Sequence, residues 1–552
     1  MEQTRLFLAV ALTFLVFVAW ELFFVDKTPV ITQKQPSDSQ MIDQQQSSEA
    51  DNDNKLLSEQ VRDELQTTGL QIQAKPRVVT VNTSFYSVKI SEQGAVFTSL
   101  ALNNYKETIN DEASKKEIIA DYGIDGAIKL TSDLGNIQGL DNAVFVLNNY
   151  AESIDIHDNP QNLKFSWVSS NGIVVNKIFR FFPDSYLIDL DVYVENRSEF
   201  NIKDSIILSM TNQSPDKDKR YSFVGPSNYM DKHYNQIKIK KIKEQSEFSG
   251  EIEWISFQKR YFMSAIIPKE PVKAMMRLTL NNNIVNSQYV QPVSIIKAGE
   301  LKKYSYSLFF GPMSLNILKE LGLNLDKAVN FGMFDFLAKP CLYSMNIIHK
   351  YIPNYGIAII LLTVFIKIIL WPLGTKSYKS MNEMKKIQPL MAEIRTKYKN
   401  DKKKMNQEVM GLYKTYKVNP VGGCLPMVVQ IPVFFAFYRM LYQAIELRHA
   451  PFLGWVTDLS APDRLFNFNI SIPFMQPPYG IPVLTIIMGG TMFLQQKMAP
   501  PMGDPAQAKI MMFMPIVFTV IFINFSSGLV LYWLVNNILS ISQQYYISQK
   551  FS

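Results

Sequence analysis

Few residues in this sequence have the types and spacing for covalent chemistry. The four histidines, His157, His233, His349 and His449, lie outside the long apolar segments, and no H-E-x-x-H, P-loop or G-x-S-x-G spacing occurs. The two cysteines, Cys341 and Cys424, are isolated thiols that make no metal site and are not read as a disulfide. Ser526 and Ser527, in NFSSG, have no base near them in sequence and read as a turn. One residue stands apart: Lys367, in the middle of TVFIKIILWPL (363–373), inside a segment (355–373) with no other charge. A cation there is costly in lipid and is usually turned toward protein or water. The chemistry open to it is electrostatic: attracting carboxylates and holding water at membrane depth.

Two readings of Lys367 follow. In the first, its long stem snorkels the ammonium to the headgroups, since Pro372 lies only five residues on, roughly 7 Å along a helix. The second rests on polar company. Thr363 precedes it by four residues and shares its helical face, Gln430 sits inside the next apolar segment, and Tyr532 and Asn536 share a face of the last one. Polar side chains from three segments meeting around the ammonium would make a hydrated cavity. A single Gln or Asn in such a segment more often bonds helix to helix, so the reading rests on their combination.

The elements that must position these residues are legible from composition. Residues 6–25 form an apolar stretch preceded by Arg5, with no small-x-small cleavage site after it, and read as an uncleaved anchor. Residues 28–76, rich in Gln, Ser and Asp, cannot bury enough apolar surface to order themselves and read as a tether. From 77 to about 312, alternating runs such as LIDLDVYVEN and KKYSYSLFF predict antiparallel strands and a β-sandwich. The following stretch, to 354, has apolar residues at helical spacing with Lys and Asp between them, which predicts an amphipathic helix along a membrane surface. Further apolar segments at 355–373, 421–445, 480–496, 510–525 and 528–547 bring the predicted spans to six. The segment 510–525 is short, about 24 Å as a helix, which favours a locally thinned bilayer unless its boundary lies elsewhere.

Charge orients these spans. Residues 374–420 carry twelve Lys and Arg against four Asp and Glu, whereas 446–479 carry only Arg448 and Arg464. The positive-inside rule places 374–420 and both termini in the cytoplasm and the β domain outside. Within the basic segment, Met384, Ile387, Met391, Ile394 and Tyr398, then Met405, Val409, Leu412 and Tyr416, recur at steps of three and four. Two such seams predict an antiparallel helical hairpin, kinked at Pro389; the alternative is a solvated connector.

Residues 418–442 (VNPVGGCLPMVVQIPVFFAFYRMLY), 446–463 (ELRHAPFLGWVTDLSAPD) and 509–537 (KIMMFMPIVFTVIFINFSSGLVLYWLVNN), with the basic loop ahead of them, closely resemble the YidC membrane-protein insertases of Gram-negative bacteria, in the YidC/Oxa/Alb family. The resemblance extends over essentially the whole chain and is most specific at the C-terminal end. It implies a polytopic α-helical membrane protein of six transmembrane helices: an anchor (1–27), a linker (28–76), a periplasmic β-sandwich (77–320), an interfacial helix (321–354) and an insertase core (355–550). The core would have five helices around a hydrophilic groove open to the cytoplasm, and a cytoplasmic hairpin at 374–420. The family usually has arginine in the groove where this chain has Lys367, a point donor without the bidentate fork. Carried over position by position, Thr363, Lys367, Gln430, Tyr532, Trp533 and Asn536 line the groove. Lys385, Lys386, Arg395, Lys402, Lys403 and Lys404 belong to the hairpin that recruits clients.

The resemblance further implies an inner-membrane protein without cofactor or metal. Its partners would be nascent membrane proteins, lipids, the Sec translocon, and the ribosome or the signal-recognition-particle pathway, with no specific binding of nucleic acid. Only SQKFS follows the last predicted span, so ribosome contact through a long basic tail is not expected. The rival readings are a transporter with Lys367 as counter-ion, a membrane-embedded enzyme for lipid or cell-wall precursors, and an assembly factor acting through its β domain. The absence of paired broken spans disfavours the first. The absence of a nucleophile or acid–base cluster disfavours the second.

Overall fold

The computed structural model describes residues 76–550 apart from 111, 121–125, 149–150, 216–221, 243–244, 417, 419–424 and 499–504. The predicted anchor, nearly all of the tether, and Cys424 lie outside the described residues.

Strand formation follows the alternation. In LIDLDVYVEN (Leu187–Asn196) the residues Ile188, Leu190, Val192 and Val194 are buried, as a period of two requires of a strand with one face on a core. The intervening Asp189 and Asp191 accept hydrogen bonds from Ser307 and Ser305 on the antiparallel neighbour Leu301–Pro312. Two principal sheets result, one of five strands and one of thirteen. They share one core: Phe97 of the smaller sheet lies 5.1 Å from Phe179 and 5.8 Å from Phe310 of the larger. Some strands depart from alternation. Phe262–Pro268 and Gly225–Met230 are buried along their whole length, as strands covered on both faces are.

One buried cation ties the sheets together. Lys177, on Ile173–Phe181, is fully buried and donates to the carbonyls of Gly94 (3.1 Å), Ala95 (2.6 Å) and Ile128 (2.8 Å). The rings of Phe145 and Phe179 flank it at 5.9 and 5.3 Å. Ala95 and Ile128 have left-handed backbone, with φ of 46° and 68°. The amine therefore satisfies carbonyls that irregular turns leave without ladder partners.

The amphipathic stretch after the sheets is not one helix. It forms α1 (Leu315–Leu321), two 3-10 turns and α2 (Asp335–Tyr351), because Gly322, Leu323 and Asn324 all take left-handed φ and end the first helix. Next comes α3 (Tyr355–Lys386), capped by Asn354, whose Oδ1 accepts from Ile357 N at 3.0 Å. It runs thirteen residues past the predicted end at 373, carrying Pro372 in its interior, and at 32 residues is about 48 Å long. Among the described residues it is the one helix both long and apolar enough to cross a membrane by these measures, with a shorter apolar stretch at Met511–Phe522.

Helices α4 (Gln388–Lys397) and α5 (Lys402–Thr415) form a hairpin, followed by α6 (Leu425–Gln443), α7 (Val483–Met498), α8 (Pro505–Phe522) and α9 (Ser527–Lys550). The hairpin seam gathers Met384, Ile387 and Met391 against Val409 and Tyr413, with Ile394 and Leu412 beside them. The expected Tyr398 and Met405 are not part of this cluster, and Tyr413 replaces the expected Tyr416, which falls just beyond the last helical residue and is exposed. Pro389 does not kink a helix. The chain breaks at Ile387, and the proline occupies the first turn of α4, where its missing N–H costs nothing. Helix α8 has 18 residues, so the short segment expected at 510–525 reflects a shifted boundary; α7, with 16, is the shorter.

Burial pushes the Lys177 ammonium from its ordinary 10.5 down to about 7. Below that pH both folded and unfolded chains hold the proton and the full desolvation penalty is present. As pH rises from 7 toward 10.5 the unfolded chain binds more protons than the folded one, so stability rises. Urea resistance of the β domain, read by tryptophan fluorescence, is expected to increase from pH 7 to pH 9. Lys177→Met should lose this slope and, with three carbonyls stripped of their donor, about 2 kcal/mol or more of stability. The same slope in both proteins would contradict the assignment.

Candidate functional site

Helix α9 is the polar spine of the helical domain. Its sequence LVNNILSISQQYY places Asn536, Asn537, Ser540, Gln543 and Gln544 at steps of one, three, three and one, and four of them (all but Asn536) are buried. Lys367 of α3 meets this stripe, its Nζ donating to Ser540 Oγ at 2.7 Å. Ser540 Oγ in turn donates a hydrogen bond to the Asn536 carbonyl, also at 2.7 Å, so the hydroxyl presents a lone pair to the amine.

One turn below, Gln543 Nε2 donates to the Trp371 carbonyl at 3.0 Å. That carbonyl carbon is bonded to the Pro372 nitrogen, and its oxygen also accepts from Thr375 Oγ1 at 3.0 Å. Gln543 can come this close because Gly374 faces it: a Cβ there would lie 2.7 Å from the amide nitrogen. On its other side, α9 bonds α7 through Asn537 Nδ2 to Thr491 Oγ1 at 3.2 Å.

The residues singled out from sequence divide into separate groups. Thr363 is buried but donates back to the Ile359 carbonyl of its own helix, the usual fate of a threonine in a helix interior. Gln430 and Tyr532 do come together, and the Tyr532 ring stacks on Phe437 at 4.5 Å. Trp533 packs with Phe434 (4.6 Å), Phe522 (5.2 Å) and Phe518. Asn536 contributes its carbonyl to the Lys367–Ser540 chain. Lys367 therefore bonds Ser540, a residue the sequence reading passed over, although the polar stripe of α9 carried the signal.

The opposite end of the helices is covered by chain. Phe452 packs on Gly356, where no Cβ fits. Leu459 is wholly buried, and its carbonyl accepts from Gly528 N at 2.9 Å. Ser527 Oγ donates to the carbonyls of Asp458 and Ala461, while Asp463 accepts from Trp455 Nε1 and from the first backbone amides of α7, a carboxylate N-cap. The β domain seats on this same end. Arg260 Nε donates to the Tyr442 carbonyl at 2.8 Å with its guanidinium 3.7 Å above that ring, and Arg448 Nη2 donates to the carbonyls of Lys106 and Glu107. Ser314 Oγ donates to Glu446 Oε1 at 3.1 Å, and burial holds that carboxyl above its ordinary range.

In the hairpin, Lys385 and Lys386 end α3 and are exposed, and Arg395 lies in the last turn of α4. Lys402, Lys403 and Lys404 open α5, with Asp401 Oδ1 capping Lys404 N at 3.0 Å. Lysines in the first turn oppose the helix dipole, so their placement is not explained by helix stability.

The outward faces of the helices are apolar. Phe365, Ile368 and Ile369 on α3, Ile486 and Phe493 on α7, and Phe513, Ile516 and Val517 on α8 are all exposed, an inversion of the water-soluble pattern. A lysine-bearing polar seam inside such a belt, with a β domain seated on one end, defines an integral membrane protein with a large extramembranous domain. Residues 78–344 match the YidC periplasmic domain and residues 347–552 the 60Kd inner membrane protein family, and the chain belongs to the YidC family. The membrane protein insertase YidC of Syntrophus aciditrophicus is 42% identical over 484 residues, covering 86% of each chain. That of Geobacter sulfurreducens is 42% identical over 477 residues, covering 85% of this chain and 86% of its own. That of Pelobacter propionicus is 38% identical over 553 residues, covering 99% of both.

Gly374→Ala is expected to displace the Gln543 amide and release its bond to Trp371, lowering thermal stability in detergent by about 1–2 kcal/mol. Gln543→Ala should cost a similar amount, and the double variant little more than either. Full additivity would show that the close approach of α3 and α9 does not depend on this amide.

Proposed function

We propose that this protein is a membrane-protein insertase whose working site is the cytoplasmic half of the seam between α3 and α9. The observation that carries the reading is the Lys367 amine held on Ser540 amid buried polar groups at membrane depth, with the far end of the helices covered by residues 444–464. Five helices, α3 and α6 to α9, with the anchor as a sixth span, enclose a groove open to the cytoplasm and closed to the periplasm. Both termini and the hairpin face the cytoplasm. Lys367, Thr363, Gln430, Tyr532, Trp533 and Asn536 line the path, with Ser540 added to them.

The client is a nascent membrane protein with a short polar segment that must cross the bilayer. Water and hydrogen-bonding groups in the groove lower the desolvation cost of that segment relative to bare hydrocarbon, and Lys367 attracts its acidic residues. The apolar part of the client partitions directly into lipid. Lys385, Lys386, Arg395, Lys402, Lys403 and Lys404 offer the first contact; the excess of twelve Lys and Arg over four Asp and Glu in 374–420 fits an approach to acidic client segments or anionic headgroups. Clients arrive from the ribosome, through the signal-recognition-particle pathway, or beside the Sec translocon. No bond of the client is made or broken, and the process needs no nucleotide from this protein.

The test is insertion of a small ribosome-made membrane protein with an acidic tail into liposomes holding only this protein, scored by protease protection. The Lys367→Ala variant is expected to protect the tail roughly tenfold less, equivalent to about 1.4 kcal/mol, with Lys367→Arg close to wild type. Equal protection by Lys367→Ala would reduce the lysine to a snorkelling cation, and no protection by the wild type would refute autonomous insertion. Deleting residues 77–312 is expected to leave most of the protection intact; its loss would favour an assembly factor acting through the β domain.

A further inference from the structure

Between Arg464 and Lys497 the chain has no charged residue. The second half of that stretch is α7, but the first half is a small hairpin outside the helices, Leu465–Phe468 paired with Tyr479–Ile481. Its large apolar side chains point away from the protein: Phe466 is 72%, Ile470 71% and Phe474 81% exposed. A water-facing loop of this size would ordinarily carry charge, and an apolar cluster of this kind marks an interaction surface.

The display is held in place. Phe466 and Phe474 both have left-handed backbone, with φ of 54° and 66°, a conformation that bulky residues rarely adopt without enforcement. Asn524, just past the end of α8, supplies it by donating to the Phe474 carbonyl at 2.7 Å and accepting from Gln476 N at 2.8 Å. Arg464 adds bonds to the carbonyls of Pro478 (2.9 Å) and Ile523 (2.8 Å). The hairpin is thereby fixed to the ends of α7 and α8.

Continuity argues for the occupant. Strand Tyr479–Ile481 leads through Pro482 straight into α7, whose exposed Ile486 and Ile487 begin the lipid-facing belt. Ile481 is exposed as well, so the apolar surface passes from helix to hairpin without a polar break. Lacking cations, the hairpin has nothing with which to recognise a headgroup, and it suits the boundary between headgroups and acyl chains.

We propose that this hairpin is a membrane anchor, inserting Phe466, Ile470 and Phe474 into the outer leaflet and fixing the height of α7 and α8 in the bilayer. The proposal is independent of the role of Lys367. It is tested on the full chain with Cys341 and Cys424 replaced by alanine, carrying a nitroxide at Phe474→Cys or at Ile470→Cys. The protein is reconstituted in phosphatidylethanolamine and phosphatidylglycerol vesicles, with a third label at Phe200→Cys, an exposed site of the β domain, as the aqueous reference. The expected result is collisional access to oxygen that exceeds access to a water-soluble nickel complex at 470 and 474, and the reverse at 200. Nickel access at 470 and 474 equal to that at 200 would place the hairpin in water and overturn the proposal. Low access to both reagents would place it against protein, a second copy or a partner, and would overturn it equally.

Discussion

A cation at membrane depth has to be given a partner, and much of the helical domain is arranged around doing so for Lys367. Its amine has one protein acceptor within hydrogen-bonding distance among the described residues, Ser540 Oγ, and that hydroxyl, donating its own hydrogen to the Asn536 carbonyl, is held with a lone pair toward the amine. The pairing sets the rotation of α9 against α3. Gly374 then becomes the point of close approach, Gln543 crosses to Trp371, and Asn537 on the far side engages Thr491 of α7. A single hydrogen bond leaves an ammonium with unused donors. In the proposed groove, water or a client carboxylate takes them up, which makes the site both tolerable when empty and attractive to acidic segments.

The other end of the helices is covered by chain and by the β domain. Polar groups there are consumed by the protein itself: Asp463 by Trp455 and the start of α7, Ser527 by two carbonyls, Arg260 and Arg448 by backbone across the domain boundary. Others, such as Arg260 Nη2 and Thr485 Oγ1, are buried there without a hydrogen-bond partner among the described residues. In the proposed topology the polar seam lies at one end and covering chain at the other, and the free energy for moving a polar segment comes from partition of the client's apolar part into lipid. The seated β domain also fixes the end from which the uncharged hairpin at 465–481 projects.

The parts of this architecture that depend on short-range periodicity were legible in the sequence. The alternation of Leu187–Asn196 and the three-and-four spacing from Met384 to Leu412 each report one buried face, and the structure has those faces. Tyr416 was misplaced because helix α5 stops one residue before it, and termini are set by local capping that periodicity does not reveal. Which polar residues meet around Lys367 was beyond a one-dimensional reading, since it depends on how far α3 and α9 are rotated and slid. Thr363, at the right spacing, satisfied itself on Ile359, and Gln430 found Tyr532. The stripe from Asn536 to Gln544 was readable, and weighing it as a unit, rather than Asn536 alone, would have pointed to Ser540. Lys177 gave no sign of its burial, because its partners are backbone carbonyls distant in sequence.

In the proposed groove, water reaches Lys367 from the cytoplasm and from nowhere else. The most direct measurement places cysteine at 367 in a chain with Cys341 and Cys424 replaced, reconstitutes it in vesicles of known orientation, and follows its reaction with a membrane-impermeant maleimide added on either side. The account requires labelling from the cytoplasmic side and protection from the periplasmic side. Labelling from the periplasmic side, or from neither, would contradict it.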